Sequence, residues 1–221
     1  MLTKLCLSFS REQMINYKDR TLNELLAYEV AQIDNIEIAE FVRKTLDDVH
    51  PDHRIKPASS TGKYHPKFAS GEGGLIRHIK VVVRNVIDLI RATPAVESEK
   101  DELIAAAILH DMWKYPEGRD HEFTAFDHPK LGGDYCKEHG FETIGRLIAA
   151  HQGIWITSRQ MPNFENEQPR KFDEWVLHYA DYMASRAYYD CKFDEQGELV
   201  LDWMSEEERK SEAPSRRIIK D

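Results

Sequence analysis

Between positions 75 and 91 the apolar residues Ile76, Ile79, Val83, Val86 and Ile90 return at intervals of three and four. A helix sets such residues on one face, so the segment is predicted to be an amphipathic helix that other elements must cover. The period outweighs its β-branched content, and Thr93-Pro94 ends it. The same rhythm recurs over residues 34–49, where Ile38, Phe41, Val42, Leu46 and Val49 form the stripe and His50-Pro51-Asp52 stops it. Residues 101–113 are Ala- and Leu-rich, with Leu103, Ala106, Ala107 and His110 on one side, and Pro116-Glu117-Gly118 breaks them. Asp127 is placed to N-cap a further helix with Pro129 in its first turn, and residues 141–151 and 172–189 complete a set of about six. The fold class expected is all-α, with GELVLDW as one short β element near the C-terminus.

A chain of 221 residues is long enough for one good-sized core with dressed ends. Its 41% hydrophobic and 31% charged residues keep it outside the compositions that stay disordered. No apolar run reaches the length that crosses a bilayer, and residues 1–10 lack the apolar core and cleavage site of a signal peptide, so a cytoplasmic location is expected. Cys6, Cys136 and Cys191 form no CxxC pair, which points away from a disulfide framework or a thiolate zinc site. A net charge of −9 argues against a protein that coats nucleic acid, so any polynucleotide would have to be held locally.

His151 shares a helix face with Ile144, Leu147 and Ile148, and Asp181 shares one with Leu177 and Ala184, so both are predicted to point into the core. An ionised carboxylate there is costly unless paired or metal-bound, whereas one or two hydrogen bonds satisfy a histidine. Asp181 is therefore the more informative of the two. His110 and Asp111, at the end of an Ala-rich helix, stand roughly 100° apart around it, close enough to share one ion or bridge two. Taken alone, a His-Asp pair is common by chance and reads as structural or incidental.

The order of the motifs changes that weighing. GGLIRH, HDMWK, DHPKLGG, IAAHQG and YADYMASR follow one another, and over residues 57–190 the series resembles the HD superfamily of metal-dependent phosphohydrolases. The resemblance implies an HD-domain helical bundle in which His78, His110, Asp111 and Asp181 make the H…HD…D metal site. His128 and His151 match the extra histidines of dinuclear members, in which the HD aspartate bridges two ions. Imidazole and carboxylate without thiolate suit Mn, Fe, Ni, Co or Zn. Two such ions roughly 3.5–4 Å apart can activate a water and stabilise phosphoryl charge. Lys114 matches the lysine of the HD-x-x-K form and is implied as a phosphate contact; the competing reading is a solvated cation at a helix C-terminus. Arg186 resembles the end of an ADYLASR-type segment, read as a structural ion pair or a phosphate contact.

Residues 55–74, IKPASSTGKYHPKFASGEGG, cannot form a regular helix, and a loop this long is expected to be functional or disordered. PASSTGKYHPKFASGEGGLIRH resembles the PAA…HH…GGLLEHT segment of the bacterial 3′-to-5′ exoribonuclease branch and of relaxase-associated HD domains. It departs from that segment in having Tyr64-His65 for the double histidine and Arg77 for a glutamate. Ser59, Ser60, Lys63 and His65 are candidate donors to phosphate oxygens, and His65 joins Asp111 and Lys114 as a catalytic candidate. A polar connector that only positions the helix bearing His78 is the alternative. Arg77 is free to turn outward or to reach substrate. A polar loop containing Pro162 and Pro169 is long enough to act as a lid. Trp175, Tyr179 and Tyr182 have helical spacing and are assigned to the core, with stacking on a base as their other use. His50, His53, His121 and His139 are given no role, while His178, three residues before Asp181, is a candidate to orient a ligand.

The division expected is an N-terminal helical extension (1–56), an HD core (57–191) and a charged tail (192–221). The activity expected is metal-dependent hydrolysis of phosphate esters of nucleotides or nucleic acid 3′ ends. The substrate would be a nucleotide or a short single strand, with no membrane involved and homo-oligomerisation left open. Two alternatives stand beside it: a di-iron oxygenase of HD type, and a nucleotide-binding module without catalysis. The second predicts lost ligands, and all six are present.

Overall fold

A computed structural model describes residues 15–60, 62, 65–116, 124–153 and 168–201. Along these residues run α1 (Leu22–Leu25), α2 (Ala27–Val30), α3 (Ile36–Asp48), α4 (Gly74–Ala92), α5 (Lys100–Leu109), α6 (His128–Glu138), α7 (Glu142–Ala150) and α8 (Phe172–Ala184). A hairpin of β1 (Lys192–Phe193) and β2 (Leu199–Val200) follows, antiparallel, with Lys192 opposite Val200 and Phe193 opposite Leu199. The fold is all-α as expected, with more helices than six. The additional ones, α1 and α2, are single turns too short to display a period. Each strand is two residues long, for the same reason below what alternation can reveal.

Local chemistry sets the helix ends. Thr21 and Glu24 form a capping box on α1, the Glu24 amide donating to Thr21 Oγ1 (3.1 Å) and the Thr21 amide to Glu24 Oε2 (2.8 Å). Asn35 caps α3 by accepting from the Ile38 amide at 3.2 Å. The same turn is tied to α5, because Asp101 accepts from the amides of Asp34 (3.1 Å) and Asn35 (2.7 Å).

The core is built around α4 and α5. The predicted stripe of α4 is buried, and so are Leu75, Val81 and Val82 outside it, because α5, α8, the short 3-10 turns at 51–55, 67–69 and 94–99, and β2 all pack on this helix. In α5 every residue from Leu103 to Leu109 is buried, and a helix without a polar face must run through the centre. It ends at Leu109 rather than at 113. The Met112 amide donates to Leu109 O (3.0 Å) and the Lys114 amide to Asp111 O (3.1 Å), so residues 110–114 tighten into turns. Helix α8 likewise stops at Ala184 rather than continuing to 189.

α6 and α7 cross at glycines. A Cβ on Gly145 would lie 2.5 Å from Gly133 O, and one on Gly133 would lie 2.8 Å from Gly145 O. The described part of the N-terminal extension joins the same core through Leu22, Leu26, Val30, Phe41, Val42 and Leu46. Residues 192–201, expected as the start of a charged tail, fold back onto it, with Phe193 against Phe68 at 5.6 Å between ring centroids. No helix among the described residues is long and apolar enough to cross a membrane.

Candidate metal centre

Five helices deliver six side chains to one buried point. His78 comes from the second turn of α4, His110 and Asp111 from the turn that ends α5, and His128 opens α6. His151 caps α7 and Asp181 lies in the last turns of α8. His78 and His110 are fully buried, and Asp111, His128 and His151 are 1% exposed. Asp181 is 9% exposed, the most open of the set.

Asp111 organises the arrangement. Its Oδ2 lies 3.2 Å from His110 Nε2 and 3.5 Å from His78 Nε2, while its Oδ1 lies 3.2 Å from His128 Nε2 and 3.7 Å from His151 Nε2. The two oxygens of one carboxylate thus face two different pairs of imidazoles. Within each pair the Nε2 atoms point at each other, 3.4 Å apart for His78 and His110 and 3.3 Å for His128 and His151. Asp181 Oδ1 completes the first pair at 3.0 Å from His78 Nε2 and 3.9 Å from His110 Nε2.

Backbone carbonyls orient three of the rings in the same way. The Nδ1 of His110 is 2.8 Å from Ala107 O, that of His128 is 2.6 Å from Ala125 O and that of His151 is 2.7 Å from Ile148 O. A carbonyl only accepts, so each Nδ1 carries the proton and each Nε2 is left with its lone pair toward the centre. His151 is held again by His178, whose Nδ1 lies 2.8 Å from His151 O. His78 Nδ1 is buried and has no hydrogen-bond partner among the described residues.

The electrostatics favour a neutral ring at His78 and His128 and a charged one at His110. Burial lowers the His78 pKa below its ordinary value and brings that of His128 to about 4, so both favour the neutral ring. Burial works against the charged forms of Asp111 and Asp181 as well, but the surrounding imidazoles, and Lys114 for Asp111, outweigh it and hold both carboxyls well below the usual range. At His110 burial is outweighed by the Asp111 and Asp181 carboxylates, and its pKa is raised. Two ionised carboxylates among four inward Nε2 atoms form a nest that attracts positive charge, and imidazole with carboxylate is a donor set that divalent transition ions accept. Three overlapping groups could each hold an ion: His78, His110 and Asp111; His110, His151 and Asp181; and Asp111, His128 and His151.

The other candidates distribute around this point. Lys114 is not a solvated cation: its Nζ donates to Asp111 Oδ2 (2.5 Å) and to Ala58 O (2.9 Å), joining the HD turn to the loop opposite. His65 stands with its ring centroid 5.7 Å from that of His78, and its buried Nδ1 has no partner among the described residues. Burial, followed by electrostatic competition from the neighbouring His78 and Lys114, lowers the His65 pKa to about 3. Ser59 and Ser60 follow Ala58, half-buried, in the same loop. Lys63 and most of the predicted lid, including Pro162, lie outside the described residues. Arg186 stacks on the Tyr182 ring, its Cζ 4.3 Å from the centroid.

Two loop anchors were not expected as such. Arg77 turns neither outward nor toward the centre; it gathers the loop, donating to the carbonyls of Phe68 (2.6 Å), Ser70 (3.1 Å) and Glu72 (3.0 Å) and to Tyr17 Oη (2.9 Å). Tyr115 donates to Pro57 O at 3.0 Å. The only hint in the sequence was position, since Arg77 precedes His78 and Tyr115 follows Lys114.

The HD domain family model matches residues 74–186, from the first residue of α4 to Arg186. The chain belongs to the HD domain family. The matched HD region contains all six converging side chains, and His110-Asp111 is its HD pair. HD domains bind divalent metal ions, and the His and Asp clusters described here could hold them. The chain is also similar to a dihydroneopterin 2′,3′-cyclic phosphate phosphodiesterase of Methanocaldococcus jannaschii, 26% identical over 145 residues, which cover 60% of this chain and 53% of that protein. It therefore spans about half the length of that curated relative. No solved structure matches the chain at a significant level.

Proposed function

We propose that this HD protein is a metal-dependent phosphohydrolase that cleaves phosphodiesters of small nucleotide-like molecules, working with two divalent ions. The observation that carries the reading is the split environment of Asp111, with one oxygen toward His78 and His110 and the other toward His128 and His151. Divalent ions held by His78, His110, Asp111, His128, His151 and Asp181 would supply Lewis acidity toward a phosphoryl oxygen and a water acidic enough to attack phosphorus at neutral pH.

The chain's own groups do the rest. Lys114 spends two of its three N–H donors on Asp111 and Ala58, which leaves the third for a phosphoryl oxygen brought against the centre. Anchored on both sides, that ammonium need not give up rotamer freedom when substrate arrives. His65 offers the buried Nδ1 as a hydrogen-bonding atom beside His78, and Ser59 and Ser60 follow the Ala58 carbonyl that Lys114 binds. Arg77 and Tyr115 hold the loop that carries these groups over the centre.

The relative at 26% identity is named for a 2′,3′-cyclic phosphate, which makes a five-membered cyclic phosphodiester the first substrate to try. A nucleic acid 3′ end is the second, supported by the loop's resemblance to the exoribonuclease branch and opposed by the net charge of −9. Metal-loaded protein assayed on 2′,3′-cyclic nucleotides, nucleoside monophosphates and an end-labelled oligonucleotide is expected to open the cyclic diester fastest. The reading fails if none of the three is hydrolysed with Mn, Fe, Ni, Co or Zn supplied.

A further inference from the structure

Trp175, Tyr179 and Tyr182 were assigned to the core on their helical spacing, but none is buried. Tyr179 is 51% exposed, while Trp175 and Tyr182 are half-buried. With Arg186 they follow one another at intervals of four, three and four residues, which at roughly 100° per residue is a single stripe along α8 and the turn after it. The members touch. The rings of Trp175 and Tyr179 stack at 5.3 Å with 27° between planes, and the Arg186 guanidinium covers Tyr182.

The stripe lies beside the metal centre. His178 occupies the helix flank between this row and Asp181, with its ring 5.4 Å from that of Tyr179, 6.3 Å from Tyr182 and 5.5 Å from Trp175. The Nδ1 of the same ring holds His151 O. One side chain therefore separates the aromatic row from the turn that presents His151. Burying a partly exposed aromatic surface recovers hydrophobic free energy, so a stacked Trp-Tyr pair beside a site for phosphate esters is a surface that a bound ring can cover. The occupant that suits it is flat, apolar on its faces and polar at its edges, with a face for Tyr179.

We propose that Trp175 and Tyr179, flanked by Tyr182 and Arg186, form a stacking subsite for a planar heteroaromatic ring carried by the substrate whose phosphodiester occupies the metal centre. This rests on the phosphohydrolase reading and deepens it, because it assigns the substrate a purine-like or pterin-like ring in addition to its phosphate. The ring contributes affinity through stacking, and the Arg186–Tyr182 pair limits how far it can slide along α8. The subsite is independent of the metal, so ring binding persists in metal-free protein.

Full-length wild type, Tyr179→Ala and Tyr179→Phe test this with two readouts. Calorimetry with guanosine and, separately, with neopterin, neither carrying phosphate, is expected to show binding by wild type and Tyr179→Phe that is weakened about tenfold in Tyr179→Ala; the tighter of the two ligands identifies the ring class. In metal-loaded protein, Tyr179→Ala is expected to raise KM for 2′,3′-cyclic GMP about tenfold with kcat retained, and to leave hydrolysis of the ring-free glycerol 1,2-cyclic phosphate unchanged. Absence of binding by wild type, or an equal loss on ringed and ring-free substrates, overturns the subsite. Ring binding by a wild type that hydrolyses nothing overturns the phosphohydrolase reading alone.

Discussion

At Asp111 a single carboxylate has its oxygens divided between two imidazole pairs, and its pKa is held low by His110 and Lys114 despite complete burial. Lys114 touches both this carboxylate and the loop opposite, so its removal should be felt in the reaction more than in the fold. Lys114→Met is expected to lower kcat/KM on a cyclic diester about 10–100-fold, with the metal content per chain retained at saturating metal; steady-state kinetics alongside elemental analysis checks it. The convergence of the six side chains was legible through the order of the motifs and their resemblance to the HD superfamily, since the helical period by itself turned only His151 and Asp181 toward the core. The shared hydrogen bond from Nδ1 to the carbonyl three residues earlier was not legible. It depends on each ring folding back over its own turn, a rotamer that no spacing reports.

Pairs of helices carry predictions of their own. α7 and α8 are clamped by Arg146, whose Nη1 donates to Glu174 Oε1 (2.6 Å) and whose guanidinium pairs with Asp173. Burial raises the pKa of Asp173 and Glu174, but for Asp173 Arg146 outweighs it, and for Glu174 the amides of Arg170 and Lys171 do so together with Arg146, leaving both lowered. A lowered folded-state pKa contributes stability that is present above the unfolded values near 4 and is lost as pH falls through the folded ones. The melting temperature of Arg146→Ala is therefore expected to lie below that of wild type at pH 7, by an amount corresponding to about 1–2 kcal/mol for a clamp partly open to water, with the gap closing toward pH 3. At the α6–α7 crossing Gly145→Ala gains helix propensity yet is expected to destabilise by about 1–3 kcal/mol, since the new Cβ meets the Gly133 carbonyl. Thermal unfolding measures both. The long helices were readable from their period, but α5 stops early because its last turn tightens to present His110 and Asp111, and that is a tertiary demand rather than a local preference.

Over the whole molecule, one buried ammonium joins three distant segments. Lys80, two residues after His78, donates to Glu29 (3.1 Å) from α2 and to Glu198 (2.7 Å) from the hairpin. Burial penalises all charge here: it raises the Glu29 pKa, while at Lys80 the two carboxylates outweigh burial and the pKa rises. Lys80→Met leaves the Glu29 carboxylate buried without its cation and is expected to cost about 3 kcal/mol, with hydrogen exchange in residues 192–201 accelerated more than in α5. Partners 51 and 118 residues apart leave no local trace, which is why residues 192–201 read as part of a tail. The proposed activity requires a cation site centred on Asp111, and metal content tests that requirement most directly. Wild type reconstituted with Mn, Fe, Ni, Co or Zn and then desalted is expected to retain up to two ions per chain by elemental analysis, and Asp111→Asn to retain none while keeping its helical circular dichroism. Full metal retention by folded Asp111→Asn would contradict it.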